Sequence, residues 1–301
     1  MIQFLGKIKN NMVYMKREDL LPFSFGGNKA RKAMYFLDEI KETKSDCIIT
    51  YGSSSSNHCR IIANMAASIR MKCIIISPEE DVGDTFNLQM MDFFGAELIR
   101  CPISQVSQII EQTIDAVKAQ GYTPYFIMGG GHGILGTKAY IDCFLEILNF
   151  EKDKGIHFDY IFHASGTGTT QAGLVCGKIL NNSSSEIVGI SIARKNPRGK
   201  QIVIDSVQEY MMGIGFQQDC SKEVCFLDDY VLDGYGKYND EINETIKSVL
   251  INYGIPLNRV YTGKAFWGMM QFLRQENVEN KNILFINTGG TPLFFDYLKE
   301  M

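Results

Sequence analysis

The sequence has no apolar run of the roughly 20 residues that a membrane-spanning helix requires. Its first residues, MIQFLGKIKNNMVYMKRED, also lack the long apolar stretch of a signal peptide. Basic residues form no stripe, and the net charge is −4. Proteins that bind nucleic acid usually concentrate lysine and arginine on one face. These absences predict a cytoplasmic protein with neither a membrane nor a nucleic acid among its partners.

Metal-binding and disulfide patterns are missing as well. The eight cysteines include no CxxC pair, and the four histidines, at positions 58, 132, 157 and 163, show no metal-ligand spacing. Most of the cysteines fall within apolar, strand-like or helix-like runs, which is typical of reduced and buried thiols. We therefore expect no metal site and no disulfide framework.

Short apolar runs alternate along the chain with longer segments of helical periodicity. CIITY (47–51), a helical segment and KCIIIS (72–77) form one strand–helix–strand unit, and FDYIFHAS (158–165), QAGLVCGKIL and EIVGISIA (186–193) form a second. Other patterns predict helices over 84–98, 106–120 and 240–253, and a strand that runs into glycines over 282–290. With 45% hydrophobic residues in a chain of 301, this alternation predicts an α/β protein with mostly parallel sheets that helices cover on both faces.

Four loops of unusual composition follow predicted strands or lie between them. They are GSSSSNHC (52–59), GGGHG (129–133), SGTGTT (165–170) and NTGG (287–290). Open parallel sheets bind ligands beyond the carboxyl ends of their strands, so we expect these loops to converge on one site. A further stretch, SFGGNKARK (24–32), places two glycines and Lys29 at the mouth of a predicted helix. It is either part of that site or an exposed turn before a basic helix.

The loops each allow a functional and a structural interpretation. SGTGTTQAGL offers backbone amides at a helix N-terminus, which suits a phosphate monoester, or it only caps a helix. GSSSSNHC suits a carboxylate, with one hydroxyl placed for proton transfer. Alternatively it only caps a helix, but capping needs one serine and the loop has four. Tyr235 and Tyr261 lie beside glycines and are otherwise packing residues. Lys264 is an alternative amine or a solvated lysine near a helix start. Thr288 can bond a ring nitrogen or cap a turn.

An amine, a phosphate site and a neutral partner for a ring nitrogen together indicate pyridoxal 5'-phosphate as the cofactor. A lysine binds its aldehyde as a Schiff base, and the phosphate anchors its other end. The pyridine ring then takes up the electrons of a carbanion, which is the chemistry of amino-acid conversion. The expected substrate is therefore a small α-amino acid.

The same motifs resemble the fold-type II pyridoxal-phosphate enzymes, and more narrowly the D-cysteine desulfhydrase and 1-aminocyclopropane-1-carboxylate (ACC) deaminase family. The matching motifs, in family order, are VYMKREDLLPFSFGGNKARK, SSSSNHCR, ASGTGTTQAGL, DDYVLDGYG, VYTGKAFWG and NTGG. The resemblance implies two open, mostly parallel α/β/α sandwich domains of the tryptophan synthase β-like type. A large cofactor-binding domain would span 1–32 and 139–301, with a small domain over 33–138. It also implies a cofactor between the domains and a homodimer.

The resemblance further implies roles for individual residues. Lys29 would form the Schiff base with the cofactor, Asn57 would contact its 3-hydroxyl, and Thr288 would meet its pyridine nitrogen. The cofactor phosphate would be held by five residues, Gly166, Thr167, Gly168, Thr169 and Thr170. Five side chains would bind the substrate, Ser55, Ser56, Asn57, His58 and His132. Four residues would be catalytic, Lys29, Ser56, Tyr235 and Tyr261.

The sequence departs from the family pattern in three places. It begins close to the predicted strand VYMKRED, without most of the usual N-terminal segment, which leaves the edge of the large domain and the dimer contacts open. Thr262 stands where ACC deaminases have a glutamate that pairs with the ring nitrogen. A hydroxyl there leaves the ring neutral and favours β-elimination over opening of a cyclopropane ring. His132 and Asn287 stand where desulfhydrases usually have serine and histidine, which leaves specificity for D-cysteine open.

The preferred hypothesis is a pyridoxal-phosphate lyase that acts by β-elimination, as D-cysteine desulfhydrases do, and gives a keto acid, ammonia and sulfide. A second hypothesis is a β-replacement synthase, with an ACC deaminase or a racemase as a variant. A third is a cofactor-binding protein without catalytic activity. The motifs do not separate elimination from replacement, and they do not give the chirality of the substrate.

Overall fold

The computed structural model describes residues 1–80 and 83–299, and within these it forms ten β-strands and ten α-helices. The strands are β1 (Ile2–Ile8), β2 (Asn11–Arg17), β3 (Cys47–Tyr51), β4 (Lys72–Pro78), β5 (Glu97–Cys101), β6 (Pro124–Ile127), β7 (Tyr160–Ser165), β8 (Glu186–Ser191), β9 (Cys225–Leu227) and β10 (Asn282–Asn287). The helices are α1 (Asn28–Glu42), α2 (Asn57–Ser68), α3 (Phe86–Phe93), α4 (Val106–Ala119), α5 (Ile134–Lys154), α6 (Thr169–Leu180), α7 (Arg198–Gly213), α8 (Asp240–Tyr253), α9 (Thr262–Gln275) and α10 (Thr291–Leu298). In the part of the chain that is described, none of these helices has the length and apolarity needed to cross a bilayer.

The larger sheet has six strands in the order β1–β2–β10–β7–β8–β9. β1 runs antiparallel to β2, and the other neighbouring strands are parallel. Phe162 and Phe285 share a core with side chains of α8 and α9, whereas Ile161 and Leu284 share one with α5, α6 and α7. Because successive side chains of a strand point to opposite faces, this pattern places helices on both sides of the sheet.

The smaller sheet has four parallel strands in the order β5–β4–β3–β6. Ile48 and Ile75 pack in one core with α1 and α2, and Ile49 and Ile74 pack in a second core with α4. Isoleucine is β-branched and suits a strand that is buried on both faces. This sheet is therefore also the middle layer of an α/β/α sandwich.

The α/β class and the mostly parallel sheets are confirmed. The strand 47–51 and the helix 240–253 have the predicted bounds, but α3 is shorter than the predicted helix over 84–98. It begins after Thr85, whose Oγ1 accepts the N–H of Leu88, and it ends before Gly95, which has a φ of +75°. The smaller sheet takes its strands from between residues 47 and 127. The domain boundaries near 32/33 and 138/139 stay a prediction.

Candidate functional site

A cavity of about 670 Å³ opens beyond the carboxyl ends of strands from both sheets. All four loops that stand out in the sequence contribute to its wall, together with the start of α1 and two tyrosines. The lining includes Asn28, Lys29, Gly52, Ser56, Asn57, His58, Gly129, Gly130, His132, Gly166, Thr167, Gly168, Thr170, Tyr235, Tyr261, Thr288 and Gly289. Every residue predicted for the site therefore lies in this wall except Ser55 and Thr169.

Two glycines allow α1 to begin against the loop after β10. Gly26 and Gly27 have φ values of +60° and +98°, which disfavour other residues. A Cβ on Gly27 would lie 2.6 Å from the carbonyl oxygen of Thr288. The backbone N–H of Asn28 donates to the same oxygen over 3.0 Å. The glycine pair is therefore a close backbone contact and not an exposed turn, and it fixes Lys29 in the first turn of α1.

Ionic contacts hold the same helix from behind. Arg31 donates to Glu18 over 2.5 Å and to Glu146 over 2.8 Å, and Lys16 donates to Glu146 over 2.5 Å. Arg31, Lys16 and Glu18 are buried, and removal of one partner from such a buried pair is destabilising. This cluster keeps the start of α1, and with it Lys29, in place.

Lys29 lies in the cavity, and its amine bonds a backbone carbonyl. Its Nζ donates to the carbonyl oxygen of Gly130 over 2.8 Å. Burial lowers the pKa of Lys29 to about 8. Among the described residues that line the cavity, none is an aspartate or a glutamate. The amine is therefore partly neutral near physiological pH, as a nucleophile or a general base must be.

A second amine, which the sequence motifs did not single out, lies one helical turn further along α1. Lys32 is 1% exposed, and its Nζ donates to Thr169 Oγ1 over 2.6 Å. Burial and the neighbouring Lys29 hold its pKa well below the usual value. The spacing of three residues on a predicted helix was the available signal, since it places both amines on one face. An anion bound between them would relieve the electrostatic penalty of both.

The glycine-rich loop after β7 provides such an anion site. α6 begins at Thr169, so the unpaired amides of its first turn and its positive dipole end face the cavity. Asn28 Nδ2 donates to Thr170 Oγ1 over 3.1 Å and joins this loop to α1. Arg194 also lines the cavity, and its guanidinium donates to the carbonyl of Gly166. Arg194 and a helix N-terminus in the wall, with the Lys32 amine behind them on Thr169, together suit a phosphate monoester.

The serine-rich loop leads into α2. Ser56 is the N-cap residue, and its Oγ accepts the N–H of Cys59 over 3.2 Å. Ser56 thus caps α2 and also lines the cavity. Asn57 Oδ1 accepts a hydrogen bond from Asn87 Nδ2 over 3.0 Å, which holds this side chain at the wall. The start of α2 is a second place where a helix N-terminus faces the cavity, and it suits a carboxylate.

Two further members of this loop are engaged elsewhere. His58 is 3% exposed, and its Nε2 lies 2.8 Å from Thr50 Oγ1. Burial keeps the pKa of His58 well below the usual value, so the ring is neutral. Ser55 Oγ lies 3.2 Å from Ser53 Oγ, and Ser55 is outside the cavity wall.

The two predicted tyrosines meet across the cavity mouth. Their hydroxyl oxygens are 2.5 Å apart, and the rings of Tyr235 and Tyr261 are nearly perpendicular. Lys264 lies behind them, fully buried, and donates to the carbonyls of Val231 and Gly234 over 3.0 and 3.1 Å. The alternative of a solvated Lys264 is therefore wrong. Its amine is outside the cavity wall and instead ties the loop before Tyr235 to α9.

Of the two threonines considered for a ring nitrogen, only Thr288 lines the cavity. Thr262 is buried, and its Oγ1 accepts hydrogen bonds from the backbone N–H and the Nδ2 of Asn258, both over 3.0 Å. Asn287 is also buried, and its Oδ1 accepts the N–H of Gly289 over 3.1 Å. His132 lines the cavity, and burial followed by the charge of Lys32 lowers its pKa. His132 therefore lines the cavity and Asn287 does not, and a backbone hydrogen bond joins His132 to Thr167 of the glycine-rich loop. Its role in substrate binding stays a prediction.

Comparisons with known proteins cover nearly the whole chain. A family model described as pyridoxal-phosphate dependent enzyme matches residues 2–289. A putative 1-aminocyclopropane-1-carboxylate deaminase of Pyrococcus abyssi is 31% identical over 305 aligned positions, with 100% of this chain and 92% of that protein covered. A D-cysteine desulfhydrase of Yersinia enterocolitica is 31% identical, with coverages of 95% and 88%. A crystal structure of an ACC deaminase homologue has a TM-score of 0.90 at 30% identity, with coverages of 100% and 92%.

Proposed function

The chain belongs to the family of pyridoxal-phosphate-dependent enzymes, and from this premise we propose that it is a lyase acting on a small α-amino acid. The proposed reaction is the β-elimination of a D-cysteine desulfhydrase, which gives a keto acid, ammonia and sulfide. The observation that carries the proposal is the amine of Lys29 in a cavity whose two helix N-termini suit a phosphate and a carboxylate. A homodimer and a cytoplasmic location stay predictions.

The described residues fit the cofactor at both of its ends. The buried amine of Lys32, which has no acidic neighbour in the cavity wall, and the N-terminus of α6 support a phosphate site at residues 166–170. Lys29 would bind the aldehyde, and Thr288 would lie at the pyridine nitrogen. We assign Asn57 to the cofactor 3-hydroxyl. The start of α2, with Ser56, is assigned to the substrate carboxylate.

Bound pyridoxal phosphate supplies an electron sink for the pair left at Cα when its proton is removed. Once the substrate amine has displaced Lys29 from the cofactor aldehyde, the free Nζ would take that proton, since its lowered pKa of about 8 leaves part of it neutral. The bond between Cβ and its substituent then breaks, and the substituent leaves with the electron pair. Tyr235 and Tyr261 are hydrogen-bonded to each other through their hydroxyls, and we assign this pair to flank the substrate. Hydrolysis of the released enamine gives the keto acid and ammonia.

The lack of an acidic group favours elimination over cyclopropane ring opening. Among the described lining residues, a hydroxyl (Thr288) is the candidate for the ring nitrogen, and no carboxylate is present to keep it protonated. A neutral ring is the weaker electron sink. Elimination needs less stabilisation of the carbanion by the ring, because a good leaving group at Cβ departs with the electron pair. ACC deamination is the second candidate, supported by the similarity to the Pyrococcus abyssi protein and to the ACC deaminase homologue.

The first test is a titration of the cofactor-loaded protein with D-cysteine, L-cysteine and ACC, followed by visible absorbance and by product assays. We expect one cysteine enantiomer to shift the absorbance band and to give sulfide, ammonia and keto acid in equal amounts. ACC should give little ammonia. Ammonia and 2-oxobutanoate from ACC, without sulfide from cysteine, would favour the second candidate. A band shift without product from any amino acid would favour a silent binding protein.

Lys264→Met is expected to weaken substrate binding while cofactor loading stays unchanged. The variant removes both hydrogen bonds from the amine to the loop that carries Tyr235. The two carbonyls keep only the backbone N–H groups of Gly234 and Lys237 as donors, over 3.4 and 3.3 Å. Loosening this loop should raise KM about tenfold and change kcat less, since one lost charged donor is worth about 1.5–3 kcal/mol. Lys264→Arg keeps a donor and serves as the matched variant. An unchanged KM in Lys264→Met would show that the Lys264 contacts do not position Tyr235.

A further inference from the structure

An aromatic ring that the sequence motifs did not identify forms part of the cavity wall. Tyr51 is the last residue of β3, is partly buried and lines the cavity. Its ring stacks on that of Phe126, with centroids 6.2 Å apart and planes within 8° of parallel. Since Phe126 belongs to β6, the next strand of the sheet, the ring has a rigid support.

Gly129 lies against the Tyr51 ring, and the space that the ring occupies explains why this position is a glycine. A Cβ on Gly129 would lie 2.9 Å from both Cε2 and Cζ of Tyr51. The φ of Gly129 is outside the left-handed region, unlike those of Gly130 and Gly131, at +74° and +65°. The backbone therefore does not demand glycine at position 129. The absence of a side chain makes room for the tyrosine ring, so Tyr51 and Gly129 form a matched pair.

The pair adjoins the part of the proposed site that carries the Lys29 amine. Gly129 precedes Gly130, whose carbonyl accepts the hydrogen bond of Lys29 Nζ. Tyr51 precedes Gly52, where a Cβ would lie 2.9 Å from Ser56 Oγ. The chain next to the ring thus continues to the loop that carries Ser56, and the glycine under the ring precedes the acceptor of the Lys29 amine. On the far side of Gly129, a Cβ on Gly130 would lie 2.7 Å from Thr167 Cγ2, so the phosphate loop follows directly after this pair.

We propose that Tyr51 is a specificity-determining residue whose ring, seated on Gly129, closes the compartment for the Cβ substituent of the substrate. This inference rests on the proposed function, because it uses the assigned position of the substrate carboxylate. The ring leaves room only for a small leaving group. This exclusion depends on the size of the ring, and the Tyr51 hydroxyl is not required for it. Amino acids with bulky Cβ substituents are then excluded by contact with the ring and not by loss of cofactor binding.

The test compares cysteine with S-benzylcysteine, in both enantiomers, as substrates of the wild type, Tyr51→Ala and Tyr51→Phe. Removal of the ring should raise kcat/KM for S-benzylcysteine relative to cysteine about tenfold or more, the scale on which apolar pockets discriminate size. Tyr51→Phe should keep the wild-type ratio within about twofold. An unchanged ratio in Tyr51→Ala would overturn the proposal.

A binding measurement separates this proposal from the proposed reaction. If neither compound is turned over, the ratio of their apparent Kd values, from the absorbance shift of the loaded protein, replaces the kinetic ratio. The same change of about tenfold is expected for Tyr51→Ala. Tyr51→Leu keeps apolar packing on Phe126 while shortening the wall, and it serves if Tyr51→Ala does not fold. Equal ratios in the wild type and Tyr51→Leu would then overturn the proposal.

Discussion

Lys29→Ala should lose covalent attachment of pyridoxal phosphate and at least about 1,000-fold of the lyase activity. The loss is large because one amine both binds the cofactor aldehyde and takes the Cα proton, and a positioned general base alone is worth about 10²–10⁴-fold. Borohydride reduction of the loaded protein, followed by peptide mass analysis, locates the labelled lysine. We expect the label on Lys29 in the wild type and none at this position in the variant.

Lys264→Met is the matched control for this experiment. Burial lowers the pKa of Lys264 to about 8, as it does for Lys29, but Lys264 is outside the cavity wall. A lowered pKa alone therefore does not separate the two amines, whereas their positions do. The labelled peptide should be the same in Lys264→Met and in the wild type. A label on residue 264, or full activity of Lys29→Ala, would contradict the assignment.

The rate at which the cofactor-free protein captures pyridoxal phosphate should depend on pH through the titration of Lys29. With a pKa of about 8, about a quarter of the amine is neutral at about pH 7.5, against about 0.1% for an ordinary lysine. The neutral amine is the nucleophile, so the capture rate should rise with pH and level off above about pH 8. Stopped-flow absorbance measures this profile. A rate that still rises above about pH 10 would mean that burial does not depress this pKa.

The sequence predicted the convergence of the four loops because strand ends and loop composition are local properties. Parallel strands place their carboxyl ends at one edge, so finding CIITY and FDYIFHAS as strands was enough to bring their loops together. The strands had to be right only to within a residue or two for this inference. It therefore held although α3 and several other element ends differ from their predicted bounds.

Side-chain roles that depend on exact geometry were less accessible. Ser55 and Ser56 look alike in the run of four serines, and only the loop conformation decides which of them lines the cavity. Tyr51 was read as one residue of a strand, because its contact with Gly129 comes from a segment almost 80 positions away. Lys264 looked solvated because the carbonyls it binds lie about 30 positions earlier in the chain. Such long-range contacts leave no periodicity in a single sequence.

Lys32→Met should weaken pyridoxal phosphate binding about 10- to 100-fold, the range expected for one lost hydrogen bond to a charged group. The Lys32 amine donates to Thr169, in the phosphate loop at the start of α6, and the described wall of the cavity contains no acidic residue to pair with it. Equilibrium titration of the cofactor-free protein, followed by absorbance, gives the affinity. Pyridoxal, which lacks the phosphate, is the matched ligand, and its affinity should be the same in the wild type and the variant.

The same substitution should stabilise the cofactor-free protein, which is the reverse of its effect on binding. Burial and Lys29 depress the pKa of Lys32 in the folded state, whereas in the unfolded chain it returns to about 10.4. Between these two pKa values the unfolded state binds more protons, so the wild-type free energy of unfolding rises with pH up to about 10.4. Lys32→Met removes this contribution to the slope and should gain most at the acidic end, by about 1–4 kcal/mol.

Urea unfolding of both cofactor-free proteins across a series of pH values measures this difference. Lys29 contributes a slope of the same sign to both proteins, so the difference reports Lys32 together with its charge interaction with Lys29. Inorganic phosphate should stabilise the wild type more than Lys32→Met, because only the wild type offers the second amine to the anion. If pyridoxal and pyridoxal phosphate lose affinity equally in the variant, Lys32 does not bind the phosphate. If the variant is less stable than the wild type at every pH, the hydrogen bond from Lys32 to Thr169 stabilises the fold, and the Lys32 amine is not an anion-binding group.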